Sequence, residues 1–359
     1  MNKIDKYIIK RFLSTFFYAL ILLLTVVIVV DISEKIDDFI EHDLSFLTII
    51  TEYYIHFIPY FANLFSPLFI FISVVFFTSK MADHSEIIAI YNSGMSFKRF
   101  LRPFMIASIL LACLSFTLGN FIIPPSNKHK IDFENKYFRN SQKIFKKNIH
   151  IQTSENEYIY LEGYNSRKKI GYKFSLEKFK GPRLSSKLRA NYIEWNEEKE
   201  LWSLNKYEIR EFLSENEKFT IGDKIDSTIN LHPDDFIIKS NLAESMNLYE
   251  LNKNIKQKDN ITSGRSKFYK LEKHKRIAFP FASIILTLIA VSVSARKSKE
   301  GIGINLGIGL LISFSYILLF QFSSTLSING NLDPMTSVWI PNILYMVLSI
   351  ILLRKHQIN

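Results

Sequence analysis

Long, uninterrupted apolar blocks stand at both ends of this chain, and a charged stretch lies between them. In hydrocarbon every backbone N–H and C=O must be satisfied inside its own segment, so only helices and closed barrels cross a bilayer. A spanning helix needs about 20 apolar residues. Six segments meet that length: 12–30, 57–79 (with Glu52 left at the interface), 104–123, 277–295, 302–328 and 335–353. The spacing predicts six transmembrane α-helices. Pro59, Pro67, Pro280 and Pro341 fall in or near them, which is tolerated where neighbours satisfy the freed carbonyls.

Orientation follows from basic residues in short loops, which stay on the cytoplasmic side. Lys3, Lys6, Lys10 and Arg11 precede the first block. Lys80, Lys98, Arg99 and Arg102 lie between the second and third, and Arg296, Lys297 and Lys299 between the fourth and fifth. Arg354 and Lys355 follow the sixth. The loop 31–43 is acidic by contrast. Both termini are expected in the cytoplasm. The first block exceeds a signal-peptide core, and no small-residue cleavage site follows it, so it is expected to be retained.

The expected organisation is 1–124 with three spans, a soluble insert over 125–272, and 273–359 with three more. Residues 125–276 carry 31 Lys and Arg against 22 Asp and Glu, a net of +9 out of the chain's +11. Long domains are exempt from the loop-charge rule. "NEYIYLEGY" and "YKFSLEKF" alternate with a period of two, and "KLRANYIEWNEEKELWSLNKYEIREF" reads as two or three strands around a turn at Asn196–Lys199. "KIDSTINL" reads as another strand. The insert is therefore expected to be all-β, a sandwich or jelly-roll, ending in an amphipathic helix over 246–257. The single cysteine, Cys113, permits no disulfide framework and no thiolate metal site.

Catalytic patterns are missing. The glycines of "GIGINLGIG" (301–309) lack the Lys-Ser/Thr of a phosphate-binding loop and are expected to serve close helix packing. The histidines are scattered, without a pair at i, i+4, and His56 is expected as a hydrogen-bonded interior residue. No acid pair or metal motif supports a membrane-embedded hydrolase. Nucleic acid does not suit a positive charge placed outside the cytoplasm.

The segment "SKMADHSEIIAIYNSGMSFKR" (79–99) joins the second and third blocks. Asp83 and Glu86 have capping-box spacing, and Gly94 supplies a C-terminal stop. This predicts a cytoplasmic helix of about three turns over 83–94, with Ile87, Ile88, Ile90 and Tyr91 on its apolar side. A helix lying on the membrane surface would carry Lys and Arg on its polar face. This one carries Asp83, His84, Ser85 and Glu86, which favours docking into a partner protein. Bases crowd the neck of the insert: Lys128, Lys130, Lys136 and Arg139 on the way out, Lys267, Lys270, Lys273, Lys275 and Arg276 on the way back. Many of these are expected to snorkel to headgroups. As a collar they suit the phosphates of an anionic amphiphile. Phe16, Phe17, Phe61, Phe65, Phe314 and Phe320, on the first, second and fifth spans, suit an acyl-lined cavity, and core packing explains them equally.

These residues resemble the LptF/LptG permease family of lipopolysaccharide export ABC transporters. "IDKYIIKRFLSTF" looks like the family's opening, slightly closer to its G-like member. "HSEIIAIYNSGMS" is similar to its coupling segment, with His84 in place of the usual Arg. "NFIIPPSNKHKIDFENKYFR" is similar to its exit from the third span, and "HKRIAFPFASIILTLIAV…GIGINLGIGLLISFSYILLFQ" to its fourth and fifth spans. The resemblance implies an inner-membrane permease of a double-membraned bacterium with a periplasmic jelly-roll. It implies a homologous permease partner, an LptB-like cytoplasmic ATPase dimer and an LptC/LptA-like periplasmic bridge, with lipopolysaccharide as cargo. ATP and magnesium would belong to the ATPase, and this chain would bind no cofactor and carry no catalytic residue. Asp83, Glu86, Ile87, Ile90, Tyr91 and Gly94 would form the coupling helix. Lys35, Lys136, Arg139, Lys273, Lys275 and Arg276 would contact lipid phosphates. Phe16, Phe61, Phe65, Phe314 and Phe320 would face the acyl chains. The rival expectations are a permease of another lipid or lipoprotein exporter, and a membrane-anchored periplasmic sensor or scaffold.

Overall fold

The computed structural model of the chain describes residues 2–138, 145–154, 156–165, 168–212, 216–229, 232–233, 240–258, 265–295 and 302–358. Packing divides it into two units. One comprises Met1–Ile131, Glu244–Leu248 and Lys270–Asn359; the other comprises Asp132–Ala243 and Tyr249–Tyr269.

The first unit is helical. Among the described residues, five helices are long and apolar enough to span a bilayer: Lys3–Glu41, Phe46–Asp83, Phe97–Tyr137, Gly303–Asn329 and Pro334–Lys355. A sixth span results if Ser266–Ala278 and Phe281–Ser294, bent by 45°, count as one. These helices outrun the apolar blocks that announce them, because caps end a helix and hydropathy does not. The first runs 39 residues and starts where the Asp5 carboxylate accepts the Asn2 backbone N–H at 3.0 Å. The sixth starts where the Asp333 carboxylate accepts the backbone N–H groups of Met335 and Thr336, an N-cap.

On the first helix Ile8, Phe12, Phe16, Leu20 and Leu24 are buried at every fourth position. Tyr18, Ile21 and Leu22 on the remaining surface are more than half exposed. A helix polar on neither side belongs in lipid or against a further hydrophobic partner. The second helix passes through a π-helical turn at Ile49–Tyr54 and the third through one at Leu118–Ile122. Such turns insert one residue into the ladder and cluster at functional positions. The fourth span breaks ahead of Phe281 because Pro280 has no N–H to donate and its ring crowds the carbonyl four residues back.

The glycines divide by position. A Cβ on Gly309 would meet the Phe71 ring at 2.8 Å, whereas nothing lies within 4 Å of one on Gly303 or Gly307. Among the described residues of the motif, close packing thus falls to Gly309; Gly301 lies outside them. One turn earlier, Asn305 donates to the Ser79 hydroxyl at 3.1 Å.

The second unit is built on six antiparallel strands in the order β1 to β6: Phe145–Ser154, Glu157–Asn165, Ile170–Lys180, Arg183–Asn196, Leu201–Phe212 and Glu217–Ser227. Each strand pairs with the next, so the inserted β-domain is a meander. Its core holds Ile159, Leu161, Phe174, Ile193, Trp202 and Leu204. The helix expected near 246–257 runs Leu248–Lys258, with Leu251 fully buried.

A crease crosses this sheet. Asn148, Lys173 and Lys206, on alternate strands, take left-handed backbone with φ of 56°, 49° and 49°. The register places them in one row with Glu162, Asn191 and Asp223, and pairing skips that row. On β4 the inward residues change parity there: Ala190 is buried on one side of the row and Ile193 on the other. Left-handed residues inserted at a repeated height bend a sheet in the manner of β-bulges, and these give the meander its fold line.

Candidate functional site

Two clusters of polar side chains decorate the first helix near its ends. Thirty residues separate Asp5 from Lys35, about 45 Å at 1.5 Å per residue, which exceeds the ~30 Å hydrocarbon core.

At the N-terminal end lies the segment joining the second and third helices. Its helix is Glu86–Asn92, seven residues or about two turns. The capping box expected from Asp83 does not form. Asp83 is the last residue of the preceding helix, and an N-cap residue needs extended backbone. Ser85 takes the N-cap position in left-handed conformation, φ 58°, without a side-chain capping bond. Gly94 does stop the helix: it has φ +86° and donates its N–H to the Tyr91 carbonyl at 2.9 Å.

Ile87 is buried, and Ile90 and Tyr91 pack partly against the bundle core. The Tyr91 ring meets Phe100 edge-on at 5.8 Å. Burial pushes the Tyr91 phenol up to about 12, and its hydroxyl has no hydrogen-bond partner among the described residues. Ile88 lies on the other side, half exposed, beside Ala89 and Asn92. Ile88 is thus the outward apolar residue of this helix, while Ile87, Ile90 and Tyr91 turn toward the bundle. Two ties bind the segment to the first helix. Arg99 donates to the Asp5 carboxylate at 2.7 Å, with Asp5 buried, and the Tyr7 hydroxyl lies 3.5 Å from the Glu86 carboxylate.

At the other end the π-turn of the second helix delivers two consecutive tyrosines to the first helix. Asp31, 9% exposed, accepts from Lys35 at 2.5 Å, from the Tyr54 hydroxyl at 3.0 Å and from the Tyr53 hydroxyl at 3.5 Å. Lys35 also donates to the Tyr53 hydroxyl. Its ammonium stands 4.7 Å from the Tyr53 ring centre and 5.8 Å from that of Phe57. The Lys130 ammonium lies 5.5 Å from the Phe57 centre and 5.8 Å from that of Phe61, within cation–π range. Below them Phe57, Phe61 and Phe65 stack along one face, with centres 4.2 and 6.4 Å apart. His56 stacks on His129 at 4.8 Å.

Two cations thus sit over an aromatic ladder. Lys35, Phe61 and Phe65 stand here as expected from the sequence, joined by Lys130 of the neck. Asp31, Tyr53, Tyr54 and Phe57 are not among the expected site residues; their sequence signal is the i, i+4 spacing of Asp31 with Lys35 and the adjacent tyrosines.

The remaining sequence-predicted residues scatter. Lys136 stands over the Tyr137 ring at 4.7 Å. Lys273 is half-buried. Lys275 lines a cavity of about 60 Å³ together with Tyr60, Asn63, Ser115, Gly119 and Glu244, and burial raises the Glu244 carboxyl above the usual range. Arg276 turns inward, 5% exposed, onto Glu272 and the carbonyls of Glu244 and Met246. Protein oxygens therefore hold the guanidinium expected on lipid phosphate. Arg139 and the bases Arg296, Lys297 and Lys299 lie outside the described residues.

Of the expected acyl-facing rings, Phe16 is buried in the bundle and Phe320 packs on Phe279 at 5.7 Å, while Phe314 is 57% exposed. Phe61 and Phe65 are brought together in the stacked ladder, and Phe16 meets its neighbour Phe17 edge-on at 5.1 Å.

In comparisons with known proteins, the family model described as "Lipopolysaccharide export system permease LptF/LptG" matches residues 6–355. No curated protein matches the chain.

Proposed function

The chain belongs to the LptF/LptG family of lipopolysaccharide export permeases, and from that membership we propose how its parts divide the work. The helix Glu86–Asn92 docks into a cytoplasmic ATPase, presenting Ile88 and Ala89 beside Asp83 and Glu86. ATP binding and hydrolysis occur in that partner. The Asp5–Arg99 ion pair and the packing of Ile87, Ile90 and Tyr91 make the segment stiff enough to pass a push to the spans.

At the far end, Lys35 and Lys130 receive the phosphates of a lipopolysaccharide. Lys273 and Lys275 add to this basic end, and Lys136 adds positive charge to the chain leading into the sheet domain. The stacked rings of Phe57, Phe61 and Phe65 take the acyl chains just below. A homologous permease completes the cavity by covering the exposed apolar faces of the first and fifth spans. The termini lie in the cytoplasm and the sheet domain in the periplasm, where it hands the lipid to a bridge protein. In this reading the chain moves its cargo and catalyses no bond-breaking step.

The observation that carries the reading is the pairing of two clusters about 45 Å apart on one helix: a docking segment tied by Asp5, and a cation–aromatic site built on Lys35. The test is photocrosslinking from Phe57 or Phe61 in the assembled transporter. Lipid A should be captured in the wild type and lost several-fold in Lys35→Ala/Lys130→Ala. Equal capture in both proteins removes the phosphate site.

A further inference from the structure

The segment just ahead of the break in the fourth span carries hydrogen bonds that none of the roles above uses. At a proline break the freed carbonyls need outside donors. The Ala278 carbonyl finds one in the Asn342 amide of the sixth span, at 2.8 Å. The other end of that amide, Oδ1, accepts from the Tyr316 hydroxyl of the fifth span, also at 2.8 Å. All three groups are buried, with Ala278 and Tyr316 at 0% and Asn342 at 2%. An amide can donate and accept at once, and here a single side chain joins three spans.

The contacts continue along the same segment, ahead of the break. Two residues before Ala278, Arg276 donates to the carbonyls of Met246 at 2.8 Å and Glu244 at 3.2 Å, while Glu272 holds its Nε at 2.8 Å. Glu244 and Met246 lie at the end of the short helix Ser240–Ser245, where the carbonyl end of a helix favours a cation. The stretch Glu244–Leu248 belongs to the helical unit, although the chain on either side of it belongs to the other.

We propose that Tyr316, Asn342 and Arg276 form a relay that couples the position of the fifth span to residues 244–248 through the broken fourth span. They are positioning residues, not lipid or nucleotide contacts. The proposal rests on the transport reading for its purpose and on the hydrogen-bond geometry for its existence. Asn342 is the pivot because its amide bonds to both neighbours. Tyr316→Phe removes one hydroxyl and keeps the ring. Asn342→Leu keeps the volume and removes both bonds.

The test has two arms. In the first, the full chain alone in detergent is followed by hydrogen exchange. Amides of 244–248, and that of Ala282 beyond the break, should exchange about fivefold faster in Tyr316→Phe, as the loss of one net hydrogen bond of ~1 kcal/mol implies. The increase should be larger in Asn342→Leu, and the double variant should match Asn342→Leu because both act on one chain of bonds. In the second, the assembled transporter in lipid is assayed for ATP hydrolysed per lipopolysaccharide released. That ratio should rise severalfold in both variants while hydrolysis itself stays within twofold of wild type.

Unchanged exchange at 244–248, or effects of the two substitutions that multiply, would overturn the relay. If wild type itself releases no lipid, the transport reading fails and the exchange arm still decides the relay. If Asn342→Leu does not fold, Tyr316→Phe carries the exchange result by itself.

Discussion

Gly309 offers a sharp test of how the fifth span is held. A methyl group added there would stand 2.8 Å from the Phe71 ring and 3.4 Å from Val75. Carbon atoms in good contact lie about 3.5–4.0 Å apart, so ring or helix must retreat by roughly 1 Å. Overpacking of this kind costs about 1–3 kcal/mol, partly offset by the better helix propensity of alanine, up to ~1 kcal/mol. Gly307, two residues away on the same helix, would place its methyl in open space. There only the propensity gain operates. Gly309→Ala should therefore be less stable than Gly307→Ala by about 2 kcal/mol, a factor of about 30 in the unfolding equilibrium. Denaturant titration of both variants in the same mixed micelles, followed by tryptophan fluorescence, measures the difference. Phe71→Leu should recover much of the loss in Gly309→Ala, because a smaller side chain makes room. Equal stability of the two alanine variants, or no recovery with Phe71→Leu, would refute the claim that this glycine is the contact point between the second and fifth spans.

Three further outcomes are expected. Glu86→Lys reverses the charge beside the exposed Ile88, so ATPase association measured by pull-down and lipid export should both collapse, while the thermal stability of the purified chain stays near wild type. Lys206→Gly in the crease relieves a left-handed conformation that costs an L-residue about 1–2 kcal/mol. Against the entropy cost of glycine, about 0.5–1 kcal/mol, it should be neutral or stabilising by hydrogen exchange of β5. Lys224→Gly, in regular strand backbone, should instead destabilise by about that entropy cost. Asp226 is held below the usual carboxylate range by the Ser203 hydroxyl and then by Lys199. Its contribution is present above the unfolded-state value of about 3.9 and is lost as pH falls through the lower folded-state value. The stability gap between wild type and Asp226→Asn should therefore be open at pH 7 and close in strong acid.

Much of the architecture could be read directly from residue order. Blocks such as 12–30 leave the backbone no choice but helix once they meet lipid. Strands such as Glu157–Asn165 declare themselves through a period of two, and both signals are local. The helix Glu86–Asn92 was legible in outline for the same reason, with Gly94 as its stop. Its start was not, because Asp83 is claimed by a longer helix whose persistence depends on packing against the core.

What only the tertiary structure decided involves partners distant in the chain. The π-turn that swings Tyr53 and Tyr54 onto Asp31 shows no pattern, since an extra residue in a helix leaves composition unchanged. The row of left-handed residues in the sheet is visible only when six strands are laid in register. Arg276 reads as a base at a membrane surface. It serves instead as a clamp on Glu244 and Met246, because the chain returns to place two carbonyls within its reach. Hydrophobic periodicity is a property of neighbours along the chain. The pairing of a buried charge or amide depends on which segment folding brings beside it, and for Asn342 that segment lies 64 residues away.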